Sequence, residues 1–219
     1  MIRGNYSLFL YVLINDEHRE KEENQMNGTD ICNIALAYIG QGRIASIEEE
    51  SEESAQCVLF YNHLRRKLLS EYRWNFAERK QKLALLKEEV AGWNYVYAYP
   101  AQCLIIRKIH EKGNDRIIKK EDWQVLTLNE STKAVCTDVS GAYATYTANV
   151  ENADMFPDTF VSALAHALAS AIAVPLSGSQ TMAQLHYQMM QQNIYNAKYQ
   201  SAIQDNRKTE YPTTYMDGR

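Results

Sequence analysis

The sequence lacks an excess of basic charge: 23 Lys and Arg stand against 27 Asp and Glu, a formal net charge of -4. Neutralising phosphates needs clustered cations, so no specific nucleic-acid partner is expected. Cysteine is sparse and scattered. Cys32, Cys57, Cys103 and Cys136 form no C-x-x-C and have no spaced His pair to complete a zinc site. They are expected to be reduced, buried small hydrophobes, which implies a reducing compartment at synthesis. Motifs of catalysis are absent as well: there is no G-x-S-x-G, G-x-x-x-x-G-K, H-E-x-x-H or G-x-G-x-x-G. His18, His63, His110, His166 and His186 fall in different predicted elements without ligand spacing, and His166, on an apolar helix, is expected to be a packing residue. No catalytic, cofactor-binding or metal-ligating residue is therefore expected, and no cofactor.

Long hydrophobic runs are missing too. Tyr6 to Ile14 is apolar and follows Arg3, but it falls short of the roughly 20 residues a bilayer span needs, and no small-residue cleavage site follows it. Lys21-Glu22-Glu23 can be encoded by codons that spell a purine-rich ribosome-binding sequence just upstream of Met26. Translation is accordingly expected to start at Met26, with residues 1–25 a non-native or disordered extension.

What is present suits a globular fold. At 219 residues, 46% hydrophobic and 23% charged, the chain can bury one core domain with a small second lobe. Tyrosine is abundant, 15 against 5 Phe, and a side chain with an apolar body and a polar tip suits interfaces.

Thr29 is a candidate cap for a first helix with Ile31, Ile34, Ala35 and Tyr38 at helical spacing, ended by Gly40. Glu48, Glu49, Glu50, Glu52 and Glu53 precede a second helix and favour the positive end of its dipole. Its predicted buried stripe is Cys57, Tyr61, Leu64, Leu68 and Tyr72, with Arg65, Arg66 and Lys67 read as a solvated face. Trp74 to Ala77 marks the exit into extended chain. Strand candidates follow at Trp93–Pro100, Cys103–Ile109, Trp123–Leu128, Ala134–Val139 and Tyr143–Val150, with a turn at Gly113-Asn114-Asp115.

Helix returns at Phe156-Pro157-Asp158, with Pro157 in the first turn, and is expected to run to Val174. Phe160, Leu164, Leu168 and Ile172 form its stripe, and alanines leave its other sides small for close packing. Pro157 and Pro175 bracket too few residues for a membrane span. The last helix starts near Ser179 and carries Ala183, Tyr187, Met190, Ile194 and Ala197 as its predicted buried stripe. Its other faces hold neutral amides, with Lys198 the only charge before Asp205. Such a face suits packing against neighbouring subunits. Gln188, Gln191, Gln192, Tyr195 and Tyr199, with Tyr211 and Tyr215 of the polar tail, are the candidate inter-subunit or partner interface.

The expected class is mainly α with a β insertion (α+β): a bundle of about four helices with a β-rich lobe between helices 2 and 3. Its expected divisions are the extension 1–25, the first half of the bundle 26–90, the β-rich insertion 91–152, the second half 153–207 and a flexible tail 208–219.

The order of these parts carries a resemblance. T-D-I-C-N-I-A-L-A-Y-I-G at 29–40 is followed by an acidic-headed helix ending in E-Y-R-W-N-F-A at 71–77, then by Y-A-Y-P-A-Q-C-L at 97–104. F-P-D-T-F-V-S-A-L-A-H-A-L-A-S-A-I-A-V-P-L at 156–176 and a Gln-rich helix complete it. Together these resemble the tail tubular protein A and head-to-tail connector adaptor family of short-tailed bacteriophages, from Met26 to about Arg207. The specificity lies in order and spacing, since these are packing signatures. Gln102 stands where the family's Y-P-A-D-C-L has an acid.

The resemblance implies a non-enzymatic virion protein, made in the host cytoplasm and placed at the head-tail junction, where it assists tail attachment and genome passage. Its implied partners are copies of itself in a dodecameric ring, the portal protein on one side and a tail tubular protein B-like nozzle on the other. The C-terminal helix and tail are expected on the portal side. A virion-associated peptidoglycan hydrolase using carboxylates among Glu48 to Glu53 is the alternative, and a helical scaffold protein of the host is a third reading.

Overall fold

The structure is a computed structural model that describes residues 26–111 and 117–204. The expected extension 1–25, with His18, lies outside the described residues, as do the Gly113-Asn114-Asp115 turn, the tail 208–219, Tyr211 and Tyr215. In chain order the elements are α1 (Gly28–Tyr38), α2 (Glu52–Glu71), β1 (Glu78–Lys82), β2 (Tyr95–Ala98), β3 (Cys103–His110), β4 (Trp123–Thr127), β5 (Lys133–Thr137), β6 (Tyr143–Ala148), α3 (Asp158–Ser177) and α4 (Gln180–Gln204). The α+β class with strands between the second and third helices is therefore the observed architecture.

The start of α1 corrects the cap. Asn27, not Thr29, is the N-cap: its side chain accepts the Asp30 N–H at 3.1 Å, while the Asp30 carboxylate accepts the Asn27 N–H at 2.9 Å. This reciprocal capping box satisfies two otherwise unpaired donors. It frees the Thr29 hydroxyl to accept the Ile47 N–H at 3.3 Å. Asn33, also in α1, donates to the Ile44 carbonyl and accepts the Ile44 N–H at 2.8 Å, so one buried amide fixes the path of the following linker.

Ser51 caps α2, with Glu52 and Glu53 in its first turn. Cys57, Tyr61 and Leu68 are buried and Leu64 and Tyr72 half-buried, as their spacing requires. Arg65 departs from the expected solvated face: it is only 3% exposed. Its guanidinium donates to the Asn149 side chain at 3.1 Å and to the Val150 carbonyl, and it pairs with Glu151 at 3.7 Å. The reason lies in the fold. The chain leaving β6 crosses α2 at this position and presents acceptors that only a long cation can reach. Arg66 and Lys67 stay exposed.

The strands form two antiparallel sheets of three, ordered β1-β6-β3 and β2-β5-β4. β structure starts at Glu78, ahead of the expected boundary at 91. The ERKQK sequence of β1 is exposed and charged, so it shows no alternation, and its pairing with β6 is what makes it a strand. Two clusters fill the lobe, a larger one around Leu83, Tyr97, Ile109, Val135 and Tyr146 and a smaller one of Val96, Ala134 and Cys136.

α3 packs against α1, α2 and α4 and is the core of the bundle. Phe160, Leu164, Leu168 and Ile172 are fully buried. By length and composition α3 could cross a membrane, but these residues lie inside the bundle. Pro157 is its N-cap, and the helix does not stop at Val174: it passes through Pro175 to Ser177. A proline here removes one N–H near the end of the helix. Terminal carbonyls are held in other ways: Gln41 Nε2 donates to Leu176 at 3.2 Å, Ser177 Oγ to Ala173, and left-handed Gly178 donates to Val174. The W-N-F and F-P-D-T-F segments meet in an aromatic cluster, with Trp74 edge-on to Phe160 at 4.9 Å and Phe76 against Phe160 at 5.1 Å.

Candidate functional site

α4 is long, and among its residues 180–199 only a narrow stripe is buried: His186, Met190, Ile194 and Ala197, with Ala183 half-buried. Tyr187, expected in that stripe, is exposed instead, because His186 takes the inward position one residue earlier. Burying Met190 and Ile194 contributes about 1.5–3 kcal/mol each. The rest of the helix surface gains nothing comparable, although its flank carries Met182, Leu185 and Met189 exposed to solvent.

Gln188, Gln191, Gln192, Tyr195 and Tyr199 share one stripe of the far side, following i, i+3, i+4, i+7 and i+11. All five are exposed, Tyr195 at 70% and Tyr199 at 65%. The fold thus brings the described members of the sequence-derived set onto a single face. Lys198 does not contribute its charge there: its Nζ sits 4.5 Å over the Tyr72 ring. The face offers amides and phenols, with the Met182 and Met189 thioethers on its flank, chemistry suited to a large, adaptable, uncharged contact. Beside it, a groove of about 310 Å³ runs between α2, α3 and α4, lined by Leu64, Leu68, Tyr72, Ala167, Tyr187 and Met190.

A histidine pair was not legible in the sequence. His166 of α3 and His186 of α4 face each other with Nδ1 atoms 3.1 Å apart, and His186 Nε2 lies 3.1 Å from the Tyr38 carbonyl. That carbonyl can only accept, so neutral His186 carries its proton on Nε2 and receives the His166 Nδ1–H. The Tyr38 ring stacks on both, at 4.4 and 5.4 Å. Burial, then the neighbouring His186, holds His166 below the usual imidazole range. The pair joins the C-terminal end of α1 to the middle of α3 and the second turn of α4. His166 does pack, as expected, but through a polar contact.

Cys32 and Cys57 also meet, at the α1–α2 contact, where both are fully buried free thiols. Their mutual hydrogen bond, with burial, pushes the Cys32 thiol up. Among the described residues no three His, Cys, Asp or Glu side chains converge as a metal site would require.

Glu49 of the acidic run has a local role. The Glu49 carboxylate accepts the Ser51 hydroxyl at 2.8 Å and the Ala45 N–H at 2.6 Å, and these bonds hold it below the usual carboxylate range. A general acid for glycoside cleavage requires the opposite shift. Two arginines couple bundle and lobe in reciprocal fashion: Arg65 reaches from α2 to the chain after β6, and Arg107 reaches from β3 to the carbonyls at the end of α2. No protein-family model matches this chain, and no curated protein matches it.

Proposed function

We propose that the chain is a structural virion protein, the adaptor subunit of a ring between the portal and the tail nozzle of a short-tailed phage. The observation that carries this reading is the outer face of α4. Its two tyrosines and three glutamines lie opposite the buried stripe with no charge among them, and the exposed Met182 and Met189 flank them. Exposed apolar and neutral surface of this length marks a protein contact. Order and spacing of the packing segments supply the second support, since the aromatic cluster unites two segments that carry the family resemblance.

In this reading the bundle is the wall of a dodecameric ring, closed by a heterologous contact in which two different patches of the subunit meet. The α4 face and the tail engage the portal protein, and the opposite side of the ring receives the nozzle. Its place is the head-tail junction of the virion, and genome passes through the ring without sequence-specific contact.

The test is assembly on isolated portal complexes, followed by negative-stain electron microscopy. The parent chain adds as a ring, and Tyr195→Glu, which puts a charge on the neutral face, does not. Equal assembly by parent and variant removes the α4 face from the contact.

A further inference from the structure

A second exposed face lies on α2. Glu52, Leu59 and Arg66 follow one another at intervals of seven along one line of the helix, flanked by Ala55, Asn62 and His63, and all six are exposed. Leu59 is 64% and its neighbour Val58 52% exposed, while Cys57, Tyr61 and Leu68 of the same helix turn into the core. Among the described residues neither Glu52 nor Arg66 enters an ion pair.

We propose that this face pairs with the same face of a second copy, the two α2 helices running antiparallel about a two-fold axis at Leu59. The charges choose the occupant and the direction. Glu52 and Arg66 lie equally far on either side of Leu59, together spanning about 21 Å at 1.5 Å per residue. Antiparallel pairing sets Glu52 against Arg66 of the partner subunit, Leu59 against Leu59 of the partner subunit and Ala55 against His63 of the partner subunit. Parallel pairing would set glutamate on glutamate and arginine on arginine. A seven-residue repeat keeps such a seam in register where helices cross at about 20°. One helix face buries less than the roughly 1,200 Å² of a standard stable interface, so the pair is weak, concentration-dependent and weaker at high salt. An isologous contact closes at two copies and does not propagate round a ring. The inference is therefore independent of the adaptor reading.

Sedimentation velocity of the full chain over a concentration series at low salt tests it. A monomer–dimer equilibrium is expected. Leu59→Glu, Glu52→Arg and Arg66→Glu each raise the dimer Kd about tenfold or more with circular dichroism unchanged, and Glu52→Arg alone also lowers Tm slightly because it reverses a charge at the positive end of the α2 dipole. The double reversal E52R/R66E restores Kd to within about threefold of the parent, since the pairs re-form with exchanged partners. The proposal is overturned by a monomer at every concentration, by an association indifferent to Leu59→Glu, or by a double reversal no better than the single ones.

Discussion

Arg107, on β3, places its Nη2 2.7 Å from the carbonyl oxygen of Ser70, in the last turn of α2. The same nitrogen reaches the Leu69 and Tyr72 carbonyls at 3.3 and 3.0 Å, and Nε donates to the Thr147 hydroxyl at 2.9 Å. A cation thus sits on the negative end of a helix dipole and satisfies carbonyls that have no intrahelical partner. Arg107→Met is expected to lower unfolding stability by about 2 kcal/mol. Arg107→Lys should recover less than half of this, because one ammonium cannot reproduce the guanidinium fork. Urea denaturation of the three proteins measures both; a Lys variant as stable as the parent would refute the fork.

Arg65 is the more demanding contact, being almost fully buried. Arg65→Met should cost about 3 kcal/mol, since it leaves the Val150 carbonyl and the Asn149 amide without their donor. Glu151→Gln should cost under about 1 kcal/mol, because the Glu151 carboxylate is mostly exposed. Equal losses in a denaturation series would show that the ion pair, rather than the carbonyl contact, holds the crossing chain.

These two arginines also mark where sequence reading stopped. Helical stripes in α2 and α3 were legible because 3.6-residue periodicity records a single buried side, and the strand segments from Tyr95 onward were legible from their β-branched and aromatic content. Arg65 stands with Arg66 and Lys67 in a run of three cations that has the pattern of a solvated face; its acceptors Asn149 and Val150 come from a segment more than eighty residues away. β1 was hidden for a related reason, its charged exposed sequence being a strand only by pairing with β6. Thr29 lost the cap of α1 to Asn27 because Asp30 completes a box with it. That Gln188, Gln191, Gln192, Tyr195 and Tyr199 share one exposed side of α4 was legible from amide and phenol side chains lying off its apolar stripe, while the His166–His186 contact joins two helices and left no spacing to find.

That histidine contact predicts a pH dependence. The unfolded imidazole titrates near 6.5, and His166 in the fold takes a proton less readily. The unfolded chain therefore binds more protons than the folded one as pH falls, so stability is complete above about 6.5 and declines below it. The groups facing His166 are His186 from α4 and Tyr38 from α1. Melting temperature should drop between pH 7 and pH 5, and His166→Gln should reduce that drop. Parallel curves for parent and variant would exclude the pair as its source.

Gln102 occupies left-handed backbone at φ 58, the non-glycine residue in that region among those described. Its carbonyl accepts the Asn149 N–H at 2.7 Å, so the turn before β3 depends on this backbone more than on the side chain. Asparagine tolerates the region better than glutamine. Gln102→Asn is expected to stabilise the chain by about 0.5 kcal/mol, and a thermal melt showing destabilisation would indicate that the amide itself holds the turn.

Electron cryomicroscopy of the neck of intact particles tests the adaptor reading most directly. The expected density is a closed ring of this chain between portal and nozzle, with Gln188, Gln191, Gln192, Tyr195 and Tyr199 covered by a neighbouring subunit or the portal. A junction without this chain, or a ring that leaves that stripe of α4 facing solvent, would contradict it.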